Sequence, residues 1–124
     1  MAVKFYKCRH CGNVVVKTVD SGVPVVCCGE NMQELKANTQ DASTEKHVPV
    51  VSVIDDNHIK IEVGSVAHPM LPEHHIAFIY VETGNGGQLI TLEDKPEAVY
   101  CTCGAKPVAV YEYCNLHGLW KTDM

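Results

Sequence analysis

A chain of 124 residues with a formal charge of −5 has room for one ordinary domain, or for a small domain beside a compact one. The acidic balance argues against a nucleic-acid backbone as partner, which needs clustered Lys and Arg. No apolar run approaches a membrane span, and Met1-Ala2-Val3-Lys4-Phe5-Tyr6 lacks the apolar core of a signal peptide, so a cytoplasmic location with no membrane partner is expected.

Seven cysteines and seven histidines are far more than a chain of this length uses for packing. The odd cysteine count and the absence of an export signal favour metal ligation over disulfides. Four of the cysteines fall between Val3 and Leu35, where only Val14-Val15-Val16 and Val23 to Val26 offer apolar material. So little apolar surface cannot offset chain entropy, and a bound metal is expected to hold this segment together.

The first cysteines form the knuckle Cys8-Arg9-His10-Cys11-Gly12. Its spacing lets both sulfurs reach one ion, and Gly12 permits the turn that frees backbone amides to bond them. Cys27 and Cys28 follow. Four thiolates fit a tetrahedral ion, zinc or a single iron, and spacing alone does not choose between them. His10 reads as a solvated neighbour of this site. The adjacent pair Cys27-Cys28 departs from a zinc ribbon and resembles the desulforedoxin type of rubredoxin-like centre, which implies a redox-active iron.

The polar stretch from Lys36 to Lys46 reads as a linker. From His47 onward, short β-type runs alternate with turn residues: Val48 to Ile54, His58 to Val63, Ile76 to Glu82, Gln88 to Leu92, Ala98 to Cys101 and Pro107 to Tyr113, with a short seventh at Gly64 to Ala67. Asp55-Asp56-Asn57 and Gly84-Asn85-Gly86-Gly87 are expected hairpin turns. No helix is predicted. The expected fold is all-β: a metal-bound N-terminal domain over 1–36, then an immunoglobulin-like antiparallel β-sandwich over 37–124.

Within that second part, His47, His68, His74, Cys114 and His117 each lie beside a turn residue or a strand end. Their recurrence at such positions predicts one shared site. Imidazoles suit Fe, Cu, Zn and Ni, and one thiolate moves the choice towards a redox metal. Five protein ligands exceed what a structural zinc uses. An iron with four nitrogens in a plane and a thiolate on one axis would keep the opposite axis open for a small oxygen ligand.

The phrases Glu45-Lys46-His47-Val48-Pro49, Gly64-Ser65-Val66-Ala67-His68-Pro69-Met70 and Tyr113-Cys114-Asn115-Leu116-His117-Gly118 resemble those of the superoxide reductases. With the N-terminal cysteine module, nearly the whole chain resembles the two-iron desulfoferrodoxin class. The resemblance implies two Fe ions per chain, one held by Cys8, Cys11, Cys27 and Cys28. For the other it implies His47, His68, His74 and His117 as equatorial ligands and Cys114 as axial thiolate. Glu45 would occupy the sixth position of the oxidised iron, and Lys46 would attract the superoxide anion and help deliver protons. The implied reaction is one-electron reduction of superoxide to hydrogen peroxide, with a rubredoxin-like electron donor and a homodimeric assembly.

Other residues fit less directly. Cys101 and Cys103 read as small residues on a half-buried strand, or as a redox or metal pair. His75, where the family has Trp, should point away from the metal, and His58 should be exposed. Trp120 and Tyr113 should pack around the final motif. Two other functions compete with the reductase. One is an electron-transfer metalloprotein without superoxide chemistry, built on a copper site of Cys114, His117 and Met124. The other is a zinc-ribbon interaction module with incidental histidines.

Overall fold

A computed structural model describes residues 3–124. The chain divides into two compact units, residues 1–36 and 37–124.

The first unit contains β1 (Phe5–Lys7), β2 (Val14–Val16), β3 (Val26–Cys27), β4 (Glu30–Asn31) and β5 (Gln33–Glu34), with β1 between β2 and β5 in one sheet and β3 paired with β4. Among its described residues, the buried apolar ones are Phe5, Cys8 and Met32. That is too little apolar surface to offset the ordering of the unit, as its sequence predicts. The β3–β4 hairpin turns on Cys28 and Gly29, both left-handed, with φ of 52° and 74°. Two successive positive φ values make the tight primed turn whose twist matches paired strands.

The second unit contains α1 (Thr44–His47), β6 (Pro49–Asp55), β7 (His58–Val63), β8 (Ile76–Thr83), β9 (Gly86–Thr91), β10 (Glu97–Cys101), β11 (Pro107–Cys114) and β12 (Gly118–Asp123). One sheet runs β10-β7-β6 and the other β12-β11-β8-β9, with antiparallel pairing throughout. Ile59, Ile61 and Val63 of the first sheet meet Ile76, Ile79, Val81, Val110 and Cys114 of the second. Alternate residues of β7 are therefore in the core, the period of two expected of a half-buried strand. Among the described residues, no helix is long and apolar enough to cross a membrane.

Four features differ from the sequence reading. The stretch after Lys36 is no free linker. Asn38 donates its backbone amide to Leu119 and exchanges side-chain bonds with the Lys121 backbone, which pins the segment to β12. A one-turn helix, α1, forms where none is expected. Gly64 to Ala67 is a turn, not a strand, and β12 is an unpredicted strand that completes the second sheet.

One irregularity shapes the site. Tyr113 lies opposite Phe78 and Cys114 opposite Ile76, so Ala77 is an extra residue in β8. This bulge lets Ile76 and Ile79, of opposite parity, share the core. Bulges re-aim side chains beside functional sites. This one lies directly against Cys114.

Candidate metal centres

In the N-terminal unit, the sulfurs of Cys8, Cys11, Cys27 and Cys28 all lie within 4.8 Å of one another. The knuckle directs amides at sulfur: His10 and Cys11 donate backbone N–H groups to Cys8 Sγ at 3.4 and 3.5 Å. Those bonds, the Cys11 amide first, bring the Cys8 thiol down to about 6. The opposite holds for Cys28, which its sulfur neighbours, Cys8 foremost, push up to about 12. Once one thiolate forms, the next resists ionisation, and a cation resolves that conflict. The left-handed turn at Cys28-Gly29 explains how adjacent cysteines reach one point. His10 and Arg9 pair instead with the Glu30 carboxylate, so His10 stands outside the sulfur cluster.

In the second unit, one ligand atom from each of His47, His68, His74, Cys114 and His117 lies within 4.8 Å of the others. His47 closes α1, His68 and His74 come from the loop between β7 and β8, and Cys114 and His117 flank the β11–β12 turn. The four rings form a cycle. Each is edge-on to its neighbours: His47–His68 at 72°, His68–His74 at 83°, His74–His117 at 77° and His117–His47 at 87°.

The outer ring nitrogens fix the tautomers. His47 Nδ1 lies 2.6 Å from the Ser43 carbonyl oxygen and His68 Nδ1 lies 2.7 Å from that of Pro69. A carbonyl only accepts, so each Nδ1 carries the proton and each Nε2 presents a lone pair inward. Yet the Nε2 atoms of His47 and His68 are only 3.2 Å apart. His117 Nδ1 is likewise 3.2 Å from His47 Nε2, and Cys114 Sγ is 3.5 Å from His68 Nε2. His74 Nε2 is buried without a hydrogen-bond partner. The lone pairs of His47 and His68, facing each other at 3.2 Å, repel unless a cation lies between them. Adjacent nitrogens bound to one ion by ~2.1 Å bonds at right angles would stand about 3.0 Å apart, close to the separations observed.

Protonation of His47, His68 and His74 is disfavoured. Burial, ahead of the charge of neighbouring rings, lowers His47 and brings His68 down to about 4. Burial also lowers His74, with His117 and then Lys46 adding to the effect. Neutral imidazole is the form that binds a metal. The charge of Lys46 is thus felt at both His47 and His74, although Glu45 and Lys46 are themselves exposed on α1.

The structure brings all nine sequence-predicted ligand residues into these two clusters. His75 lies outside, with Nδ1 bonded to the Leu71 carbonyl, and His58 bonds Asp55. Met124 is exposed beyond β12, and its amide bonds Val108, at the other end of β11 from Cys114. A copper site of Cys114, His117 and Met124 is therefore not assembled.

Asn115 and Trp120 support the site, the second as its expected packing around the final motif, and Glu112 lies two residues before Cys114 on β11. Asn115 Oδ1 accepts the His75 amide at 2.9 Å and Nδ2 donates to the Glu73 carbonyl at 3.0 Å, which ties the His74 loop to the Cys114–His117 turn. Trp120 stacks on His47 and donates Nε1–H to the His117 carbonyl at 3.0 Å. Glu112 is fully buried beside Cys114, with neither carboxyl oxygen partnered, and burial pushes it up to about 9. The signal for Asn115 was its place inside the final motif. Nothing in the alternation of β11 distinguishes Glu112 from an exposed strand residue.

Comparison with known proteins agrees with this geometry. The desulfoferrodoxin family model matches residues 39–123, and the model of the desulfoferrodoxin N-terminal domain matches 2–35. The desulfoferrodoxin of Nitratidesulfovibrio vulgaris is 44% identical over 122 residues, which cover 97% of this chain and 95% of that protein. The crystal structure of the superoxide reductase from Treponema pallidum superposes with a TM-score of 0.81 at 36% identity, covering 99% of this chain and 100% of that one. The superoxide reductase from Nanoarchaeum equitans, at 30% identity, covers 68% of this chain and 96% of its own with a TM-score of 0.51. Matched along both units, with a four-cysteine site in one and a four-histidine, one-cysteine site in the other, the chain belongs to the desulfoferrodoxin family.

Proposed function

We propose that this protein is a superoxide reductase, in which superoxide, one electron and two protons give hydrogen peroxide without forming dioxygen. The observation that carries the reading is the gathering of a ring nitrogen from each of four histidines and one buried cysteine sulfur within 4.8 Å of one another in the second unit. His47, His68, His74, His117 and Cys114 would hold an iron, which would supply the electron. Residues 1–36 then form the domain of the four-cysteine iron and residues 37–124 the reductase domain.

Each residue has a task. His47 and His68 are held by their backbone bonds with the donor nitrogen inward, so little reorganisation accompanies ligation. Cys114, in the core and against the β8 bulge, presents its sulfur where water is excluded. Lys46, a cation on a protein of net charge −5, draws superoxide towards the histidines, and its exposed ammonium exchanges protons with solvent. Glu45, its neighbour on α1, is the carboxylate at the open face. A rubredoxin-like protein as electron donor and a homodimeric assembly, both resting on the family resemblance, and a cytoplasmic location complete the proposal.

Replacing Cys114 by Ser tests the reading. The iron-loaded, pre-reduced variant should lose peroxide production while the four-cysteine site keeps its iron. A variant that still produced peroxide at the parent rate would overturn it. An electron carrier without superoxide chemistry would instead take up and release electrons in both forms and yield no peroxide.

A further inference from the structure

One pair of thiols belongs to neither metal centre. Cys101 ends β10 and Cys103 follows it by two, both exposed, with their sulfurs 3.3 Å apart. In a straight strand, residues two apart have Cα atoms about 6.6 Å apart and parallel side chains, which leaves sulfurs well separated. The chain here is not straight. Cys103 and Gly104 have φ of 50° and 80°, and the Ala105 amide closes on the Thr102 carbonyl at 2.9 Å, which makes a primed turn with cysteine in the left-handed position.

Cysteine is a poor choice for that position, where Asn or Gly is at ease. The chain uses the same Cys-Gly turn once more, at Cys28-Gly29, where it brings adjacent sulfurs into one cluster. At Cys103 it turns a sulfur onto its neighbour in the same way. Thr102, between the two cysteines, is buried and donates its amide to the Asn57 carbonyl at 2.7 Å. That anchor faces the pair outward and holds it still. Along β7, Cys101 is opposite His58 whereas Glu97 is opposite Glu62, next to the loop that carries His68. The pair therefore sits at the end of the sandwich away from the histidine site, about 17 Å of strand distant.

We propose that Cys101 and Cys103 form a reversible dithiol–disulfide couple that is oxidised by hydrogen peroxide. The Cys101 thiolate attacks one peroxide oxygen, the O–O bond breaks, and sulfenic acid and hydroxide form. The Cys103 thiol then attacks the Cys101 sulfur and expels water. Two electrons pass from the two sulfurs to peroxide, and the products are one disulfide, one water and one hydroxide. The Cys101 side chain, hydrogen-bonded to it, raises the Cys103 thiol, so Cys103 keeps its proton until the second step. Closing the bond moves the sulfurs from 3.3 Å to about 2.05 Å, a short path for an exposed turn. External thiols can reverse the reaction. Superoxide reduction would release the oxidant beside the chain; only that source depends on the function proposed above, and added peroxide tests the couple without it.

The test uses the iron-loaded full chain, one to a few equivalents of hydrogen peroxide, iodoacetamide, and chymotryptic mapping. Cleavage after Tyr100 and Tyr111 isolates a peptide, 101–111, whose cysteines are Cys101 and Cys103. Before peroxide this peptide should take two alkyl groups. Afterwards it should take none and be two hydrogens lighter, and dithiothreitol should restore both. In Cys103→Ser, Cys101 should stop as sulfenic acid and be trapped by dimedone. A peptide that still takes two alkyl groups after the peroxide is consumed, a link between chains instead of within one, or no dimedone adduct in the variant would each overturn the proposal.

Discussion

A Cβ placed on Gly64 would come within 2.7 Å of the Glu45 carbonyl oxygen, with the Lys46 and Val48 backbones 3.0 Å away. The same Glu45 carbonyl accepts the Val66 amide at 2.9 Å and the Ser65 hydroxyl at 3.2 Å. The turn after β7 thus grips the backbone of α1, and through it fixes Glu45, Lys46 and His47. Gly64→Ala should push α1 away at a cost of about 1–3 kcal/mol. Iron affinity of the histidine site should fall, with the four-cysteine site unaffected. Unchanged melting and unchanged affinity in metal titrations would mean that the grip is unimportant.

Asn115 works on the opposite side of the site. Its two side-chain bonds join the His74 loop to the Cys114 turn, so Asn115→Ala frees His74 without touching any ligand. Loss of such outer support typically weakens metal binding by about 10–100-fold. Competition with a chelator should show that loss at the histidine site alone.

Lys46→Ala removes the cation whose charge is felt at His47 and His74. The second-order rate with superoxide should drop roughly tenfold, and its dependence on ionic strength should flatten, because steering of an anion is screened by salt. Stopped-flow measurements at two salt concentrations check both.

Glu112→Met replaces a buried, unpartnered carboxyl by an apolar chain of similar length. Burial without a partner costs a polar group about 1–3 kcal/mol, so the variant should melt several degrees higher. A lower midpoint in calorimetry would show that the carboxyl does stabilise the native state.

Much of this arrangement is legible in the chain. The period-two alternation of His58 to Val63 defines β7 because one face is wholly buried, and ligand residues beside turns mark both metal sites. What was not legible arises from tertiary contact. α1 is one turn long, too short to form by propensity, and it stands because the Gly64 turn holds it. The polar stretch around Asn38 looks like a linker because its bonds go to a strand 83 residues away. The β8 bulge depends on pairing with β11, and no local pattern announces it. Glu112 breaks the rule that buried carboxylates have partners, and sequence reasoning applies that rule.

The most direct test of the central claim is the yield from pre-reduced, two-iron protein mixed with superoxide. One hydrogen peroxide per superoxide, with no dioxygen evolved, is the predicted result. Half that yield with dioxygen would mean dismutation, and no peroxide above the spontaneous background would mean an electron carrier; either contradicts the account.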